Sequence, residues 1–398
     1  MSAPMWGCGS GTPKAEQGGG LTVVVATPLQ GPNADQGKDL VRAARLQLES
    51  VDSTVAGRKV RIRQLNESGA VQGAADPEHV AKLVEAASAD PSVVAWIGGL
   101  DSDSLAVELP RLNEAGLAAV SPGATATPFN RRDPAFPGAP VKYYPSIAQF
   151  GMSLWRITTN DLSIAAKALT DLRAKGVRSV FTVDIGDTDG DSFSSAVEQM
   201  ASSHGIALVG HESVVGQNAD WAGIALEAKA LRAKAIIWSS PAGVDQLELW
   251  RAVAKAKGRE LMVSGPAVPP SGISKLPKVL GQVLSFGPIV PPDLQGPSGG
   301  VLESRFNRAY GHGPAAGSLR AVPAMAVVLD ALRRAVELNR GQPDIQLRAA
   351  VIAGLAKTRN VPSLLGGIRL SPLGDWNSAP VGVWSLEKGV MKFGRVLP

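Results

Sequence analysis

A single cysteine, Cys8, serves a chain of 398 residues. That count excludes an internal disulfide and any cysteine-built metal site. Histidine is nearly as scarce. His79, His204, His211 and His312 stand at no metal-ligand spacing, and none belongs to a nucleophile motif. No apolar stretch approaches the roughly 18 residues of a membrane span. Aromatic residues make up only 5% of the chain, and no basic stripe is interleaved with them. The net charge of +5 therefore reads as general surface charge, and no nucleic-acid partner is expected. Gly98-Gly99 do not complete a phosphate-binding fingerprint. No metal, no cofactor and no catalysis are expected, and an α/β enzyme is the least favoured alternative.

Glycine and proline are plentiful, at 44 and 29 residues, but scattered along the chain. Scatter of that kind implies many tight loops, not one disordered tract. Length alone allows two or three domains. The informative pattern is a unit that occurs twice. Residues 21–26 form a short run rich in β-branched residues, as in a strand buried on both faces. A loop of Gly, Pro, Asn and Asp follows, and Asp39 then opens a helix with Leu40, Ala44, Leu48 and Val51 on one stripe. The second copy has a strand at 179–183, an acidic loop, and a helix from Phe193. Two such openings predict two α/β lobes. A cleft between them gathers strand C-terminal ends and helix N-termini, where small molecules bind.

Further strands are expected at 59–64, 93–97 and 117–120, with helices at 39–51, 76–89 and 103–115 between and around them. This alternation predicts a parallel sheet with right-handed crossovers. Residues 126–150 read as a Pro-rich insertion, and 154–161 change character, marking a first passage between lobes. Strands at 207–209, 235–238 and 261–263 continue the second lobe. A return passage is expected at 283–293, helices at 300–310, 321–338 and 345–355, and a third passage at 366–370. The chain closes as a hairpin turning at Glu387-Lys388-Gly389. The expected architecture is two doubly wound, Rossmann-like parallel-sheet lobes on a three-crossing hinge. Residues 1–20 are a flexible leader; 21–156 with 288–367 form one lobe, and 157–287 with 368–398 the other. Such a hinge lets two lobes close over a ligand.

Two resemblances sharpen this reading. The segment MWGCGSG around Cys8 is similar to the processing site of bacterial lipoproteins, although Trp6 stands where a small residue is usual. It implies an extracytoplasmic, lipid-anchored protein. The alternative is an untethered thiol in a disordered leader. The second resemblance rests on TPLQGPNADQGKDLVRAARLQLE, VVAWIGGLDSDS and LPRLNEAGLAAVSPGATATP. In that order and spacing they resemble the type I periplasmic binding proteins, closest to the leucine-type, branched-chain amino acid receptors of ABC transporters. The resemblance covers about residues 21–398. It implies a monomeric solute-binding protein that presents a small polar, amino acid-like ligand to a permease. A ligand-sensing receptor on the same fold is the alternative.

The resemblance also implies a site. Ser102, Gly123 and Thr125 match the positions that hold a ligand's carboxylate and amine. Gln36 falls where the family often has an aromatic. Asp189 falls where a tyrosine is usual, and no acid stands at 265–267, where one commonly binds the amine. Asp101, Asp187 and Asp189 can return negative charge to the cleft, which favours a cationic or zwitterionic ligand. Other readings stay open from the residues themselves. Ser102 can simply cap its helix and Thr125 close a turn. Asp187, Asp189, Asp191 and Glu198 match four places of a calcium loop, without its glycine.

Overall fold

The computed structural model describes residues 20–397 apart from 70–75, 217–218, 242, 267–281, 296–297, 341–342 and 378. Cys8 and its surroundings lie outside the described residues, as does Ala267. The first sheet has six strands. Their spatial order is Thr54–Val55, Arg58–Asn66, Leu21–Thr27, Val93–Ile97, Ala118–Ser121 and Leu154–Arg156. All neighbours are parallel except the short pair at the Thr54–Val55 edge. Every residue of Leu21–Thr27 is buried, because helices cover both faces. The chain order reverses on either side of this strand. The crevice beyond the C-terminal ends of Leu21–Thr27 and Val93–Ile97 is thus the switch point, where ligands bind in open α/β sheets.

The second sheet has seven strands, in the order Val390–Leu397, Val381–Glu387, Val283–Gly287, Leu261–Ser264, Ala235–Trp238, Ser179–Asp184 and Ala207–Ser213. The last five are mutually parallel, and the terminal hairpin adds antiparallel to their edge. Lys388 and Gly389 both take positive φ at the hairpin turn, which accounts for the Lys-Gly pair there. The switch point of this sheet lies beyond Asp184 and Trp238. The two α/β lobes expected from the sequence are therefore present.

Three helices that follow the second sheet return to the first. Gly299–Tyr310, Ala321–Leu338 and Asp344–Ala356 bury Phe306, Met325, Leu329 and Val351 in one cluster with Leu21, Val25 and Leu40. Pro323 is the third residue of its helix, where its missing N–H leaves no bond unmade. Arg348 fastens this return. It is 4% exposed and donates to the carbonyls of Val93 at 2.8 Å, Ser88 at 2.9 Å and Asp90 at 2.8 Å.

Three local expectations are corrected. Residues 366–370 are not the third passage. Gly366–Ile368 pairs with Val361–Ser363, and Ile368 and Leu370 belong to the first lobe's core. The chain crosses only after Asp375, entering the second sheet at Val381. The apolar character of this short strand reflects burial in the core, not a passage between lobes. The helix expected from Phe193 begins at Thr188, with Asp187 as its cap accepting from the Gly190 amide at 2.9 Å. Acids in a first turn suit the helix dipole, so the acidic loop is mostly helix. The first helix likewise starts at Ala34, not Asp39.

Replacing Arg348 by Met should leave several buried carbonyls without donors. We expect the free energy of unfolding to fall by about 2–4 kcal/mol, read as a lower urea midpoint. An unchanged midpoint would show that the return helices are held by apolar packing alone.

Candidate functional site

Two helix N-termini face each other across the lobes. The helix Ser102–Glu114 follows the IGG strand, and Thr188–Ala201 follows Ser179–Asp184. Asp101 is the cap of the first, accepting from the Ser104 amide at 2.7 Å and the Ser104 hydroxyl at 3.1 Å. Ser102 is therefore not the cap. It is fully buried, and its hydroxyl accepts from the Ala126 amide at 3.2 Å. Its own amide, at the positive end of the helix, donates to Asp189 Oδ2 of the second lobe at 3.2 Å. A carboxylate of the protein itself thus occupies the anion position of the first lobe.

The second helix presents Asp189, Ser192 and Ser195 at three-residue intervals, so all three lie along one face. They are 6%, 0% and 5% exposed. Ser192 Oγ accepts from the Thr127 amide at 2.9 Å and donates to Asp161 at 2.7 Å. Ser195 donates to Asp133 at 2.7 Å, and the Thr188 amide donates to Asp103 at 3.0 Å. This row of small polar residues zips the lobes into a closed arrangement. The spacing D-x-x-S-x-x-S was available in the sequence, but it is a signal only once the helix is known to start at Thr188.

The loop 121–127 lies beneath. A Cβ on Gly123 would stand 2.0 Å from the Leu100 carbonyl oxygen, so only glycine fits there. The Thr125 carbonyl accepts from Arg156 Nη1 and from the Asp161 amide, both at 2.9 Å. Ser102, Gly123, Thr125, Asp101 and Asp189 are thus gathered around the two helix ends. Gln36 is not. It sits against Gly317 of the first lobe and makes no hydrogen bond to the others among the described residues. The calcium arrangement also fails, since Asp189 is buried and Glu198 is exposed on the outer side of the same helix. Among the described residues no group of acids, histidines or cysteines is disposed to hold a metal.

The electrostatics are unusual. Burial raises Asp161 and Asp187 to about 6, and raises Asp189 well above the ordinary carboxylate range. Asp161, Asp101 and Asp187 add repulsion at Asp189. Arg156 is fully buried nearby, but it is engaged by the Thr125 and Ala126 carbonyls and by Asp375 at 3.0 Å. Behind the first helix lies a second acidic pair. Glu67 and Glu108 are both 0% exposed and interact with each other. Burial lifts Glu67 to about 7 and Glu108 well above its usual range. Two carboxyls so placed cannot both ionise.

Two parallel-sheet lobes on a three-pass hinge, with facing helix N-termini between them, define a hinged binding protein. The chain belongs to the periplasmic binding protein family, whose model matches residues 20–378. Solved structures share the fold over nearly the whole chain. A leucine-binding protein of Thermotoga maritima superposes with a TM-score of 0.73 at 19% identity, covering 95% of this chain and 98% of its own. A solute-binding protein of an ABC transporter from R. palustris, in complex with benzoate, gives 0.71 at 15% identity, with 95% and 96% covered. The branched-chain amino acid transporter binding protein of Streptococcus pneumoniae, in complex with isoleucine, gives 0.70 at 12%, with 95% and 99% covered. No curated protein sequence matches the chain.

The Glu67–Glu108 pair carries a pH prediction. Glu67 is raised in the folded state, so its contribution is fully present below about 4.5 and is lost as pH rises through about 7. Glu67→Gln should remove that slope. At pH 8 the variant should be more stable than the parent, by up to about 3 kcal/mol, with the advantage absent at pH 4.5. Thermal unfolding at both pH values reads this directly, and parallel pH profiles for the two proteins would refute it.

Proposed function

We propose that the protein is an extracytoplasmic solute-binding protein that captures a small ligand bearing an ammonium group and hands it to an ABC permease. The observation that carries the ligand class is the seam of acids at the closed lobes. Asp189 and Asp161 are buried, Asp101 and Asp187 flank them, and Arg156, which is shared with Asp375, offsets only Asp161 in part. Uncompensated carboxylates at such a place are costly, and a cation from the ligand offsets that cost. The family relation and the ABC-transporter proteins that share the fold support the transport role.

In this reading Asp189 is a placeholder. When the lobes part, it leaves the Ser102 amide, and the incoming ligand's carboxylate takes that position, with Thr125 and the Gly123 carbonyl alongside. Asp189 and Asp161 then face the ligand's ammonium. A simple amine would leave Asp189 where it is. Contacts to both lobes make the ligand favour the closed state, which is how binding shifts the hinge equilibrium. Domain limits near 156, 288 and 375, a monomeric state, and a lipid on Cys8 complete the reading. The lipid is checked by metabolic labelling with a fatty-acid analogue, where Cys8→Ser should lose the label.

The chemistry fixes the sign of the pH dependence. Burial raises Asp161 and Asp187 to about 6 and raises Asp189 well above the ordinary carboxylate range, so as pH falls toward 5 protons compete with a bound cation for these groups. Affinity for an ammonium ligand should rise from pH 5 to pH 8, with proton release seen by calorimetry in buffers of different ionisation enthalpy. A panel of amines, amino acids and neutral or acidic metabolites, screened by thermal shift, supplies the ligand. Asp189→Asn should weaken ammonium binding at least about tenfold. Stabilisation only by acids, or undiminished affinity in Asp189→Asn, would sink the proposal.

A further inference from the structure

A cavity of about 500 Å³ lies at the hinge itself, among residues other than the Ser102–Asp189 contact. We propose that it is a second ligand site, taking a small amphipathic carboxylate. Its volume is within the range of sites that hold metabolite-sized molecules. All three passages of the hinge build its walls: Thr159 from the first, Gln295 from the second and Trp376 from the third. Ser163 and Lys167, from the helix Asp161–Ala174, and Leu397, from the last strand, close it.

The lining specifies the ligand. Ser163 and Lys167 are four residues apart on one helix, so they share a face. Lys167 forms no ion pair among the described residues. Its ammonium reaches only the Leu397 carbonyl, at 3.5 Å. Burial lowers its pKa, as expected of a cation losing water. The one acid on the wall, Asp375, cannot serve it. Asp375 already accepts from Asn130 at 2.8 Å and Asn160 at 3.0 Å, and pairs with Arg156 and Arg131. The charged end of the cavity is therefore a donor site for an anion. The lining also offers apolar surface: the half-buried indole of Trp376, with Ala379 and Leu397. Gln295 donates to the Val290 carbonyl at 2.9 Å, while its buried Oε1 has no partner.

The position gives such a site a consequence. Lobe rotation changes backbone angles in the three passages, so the cavity's shape differs between open and closed states. A molecule bound there biases the hinge, and by linkage it changes affinity at the cleft. This does not depend on which ligand the cleft takes.

The probe is phenylacetate, with phenethylamine as the control of opposite charge, titrated into the full chain by calorimetry. Phenylacetate should bind. Lys167→Met should weaken it at least about tenfold and Lys167→Arg should restore most of the loss. Trp376→Leu should weaken it about fivefold. The exposed surface variant Lys82→Met, which also removes one positive charge, should leave it within about twofold. Far-ultraviolet circular dichroism confirms that each variant is folded. Three results would each overturn the proposal: no phenylacetate binding at about 10 mM, binding indifferent to Lys167→Met, or binding weakened as much by Lys82→Met as by Lys167→Met.

Discussion

The buried pair of Arg156 and Asp375 is the joint on which both the hinge and the cleft depend. Arg156 ends the last strand of the first sheet, and Asp375 sits where the chain makes its final passage. Their side chains meet at 3.0 Å, and their backbones pair as well, Arg156 accepting from Trp376 at 3.0 Å and donating to Gly374 at 2.8 Å. Arg156 also holds the carbonyls of Thr125 and Ala126, which sets the loop under the cleft. Asp375 holds Asn160, whose own oxygen caps the first helix of the second lobe by accepting from the Ser163 amide at 3.0 Å. One ion pair thus ties together two passages, the ligand loop and a helix start. Desolvation offsets much of the attraction in such a pair, while breaking it is expensive. Its contribution is geometric: it fixes where the lobes pivot.

With the pivot fixed, the cleft is defined by what the two lobes bring to it, and both bring acids. A helix N-terminus attracts one carboxylate well. Here Ser102 attracts Asp189, and Asp187 caps the helix that carries Asp189. The Ser102 bond offsets only part of the cost of Asp189, because burial and three neighbouring acids still raise it well above the ordinary range. The same logic extends behind the site, where Asp101 adds repulsion to Glu67 and Glu108. Burial and mutual repulsion raise these groups, which makes them readier to hold protons than ordinary carboxyls. A protein that stores protons in this way is poised to exchange them for a cation.

Much of this fold was legible in the chain. The strands Val93–Ile97 and Ala235–Trp238 and the helix Ala321–Leu338 fall where periodicity placed them, because each is buried deeply enough for pattern to follow structure. The errors lie at boundaries where polar groups decide. Thr188 begins a helix because Asp187 caps it, and the acids that follow looked like loop. Ser102 and Asp189 were both picked out, but as separate ligand contacts. Their mutual hydrogen bond depends on how the lobes meet, and no spacing within one chain segment encodes that. Gln36 came from the resemblance, and it stands in the first turn of the helix Ala34–Glu49 with its amide beside Gly317. The Glu67–Glu108 pair gave no signal at all, since it joins a strand end to a helix interior across 41 positions of sequence.

The charge distribution also constrains how a ligand arrives. The chain carries a net charge of +5, yet several of its acids are buried in and behind the cleft. The exterior is therefore more basic than the count of residues implies. A cation approaching from a distance meets a weakly unfavourable field, screened within about 8–10 Å at physiological ionic strength. Long-range steering cannot be what concentrates it. Capture must come from short-range contacts made after entry, with desolvated carboxylates that strengthen as the lobes exclude water. In such a protein selectivity resides in closure. A ligand that supplies the missing positive charge lets the seam of acids ionise with the lobes shut, whereas one without it gains no such release.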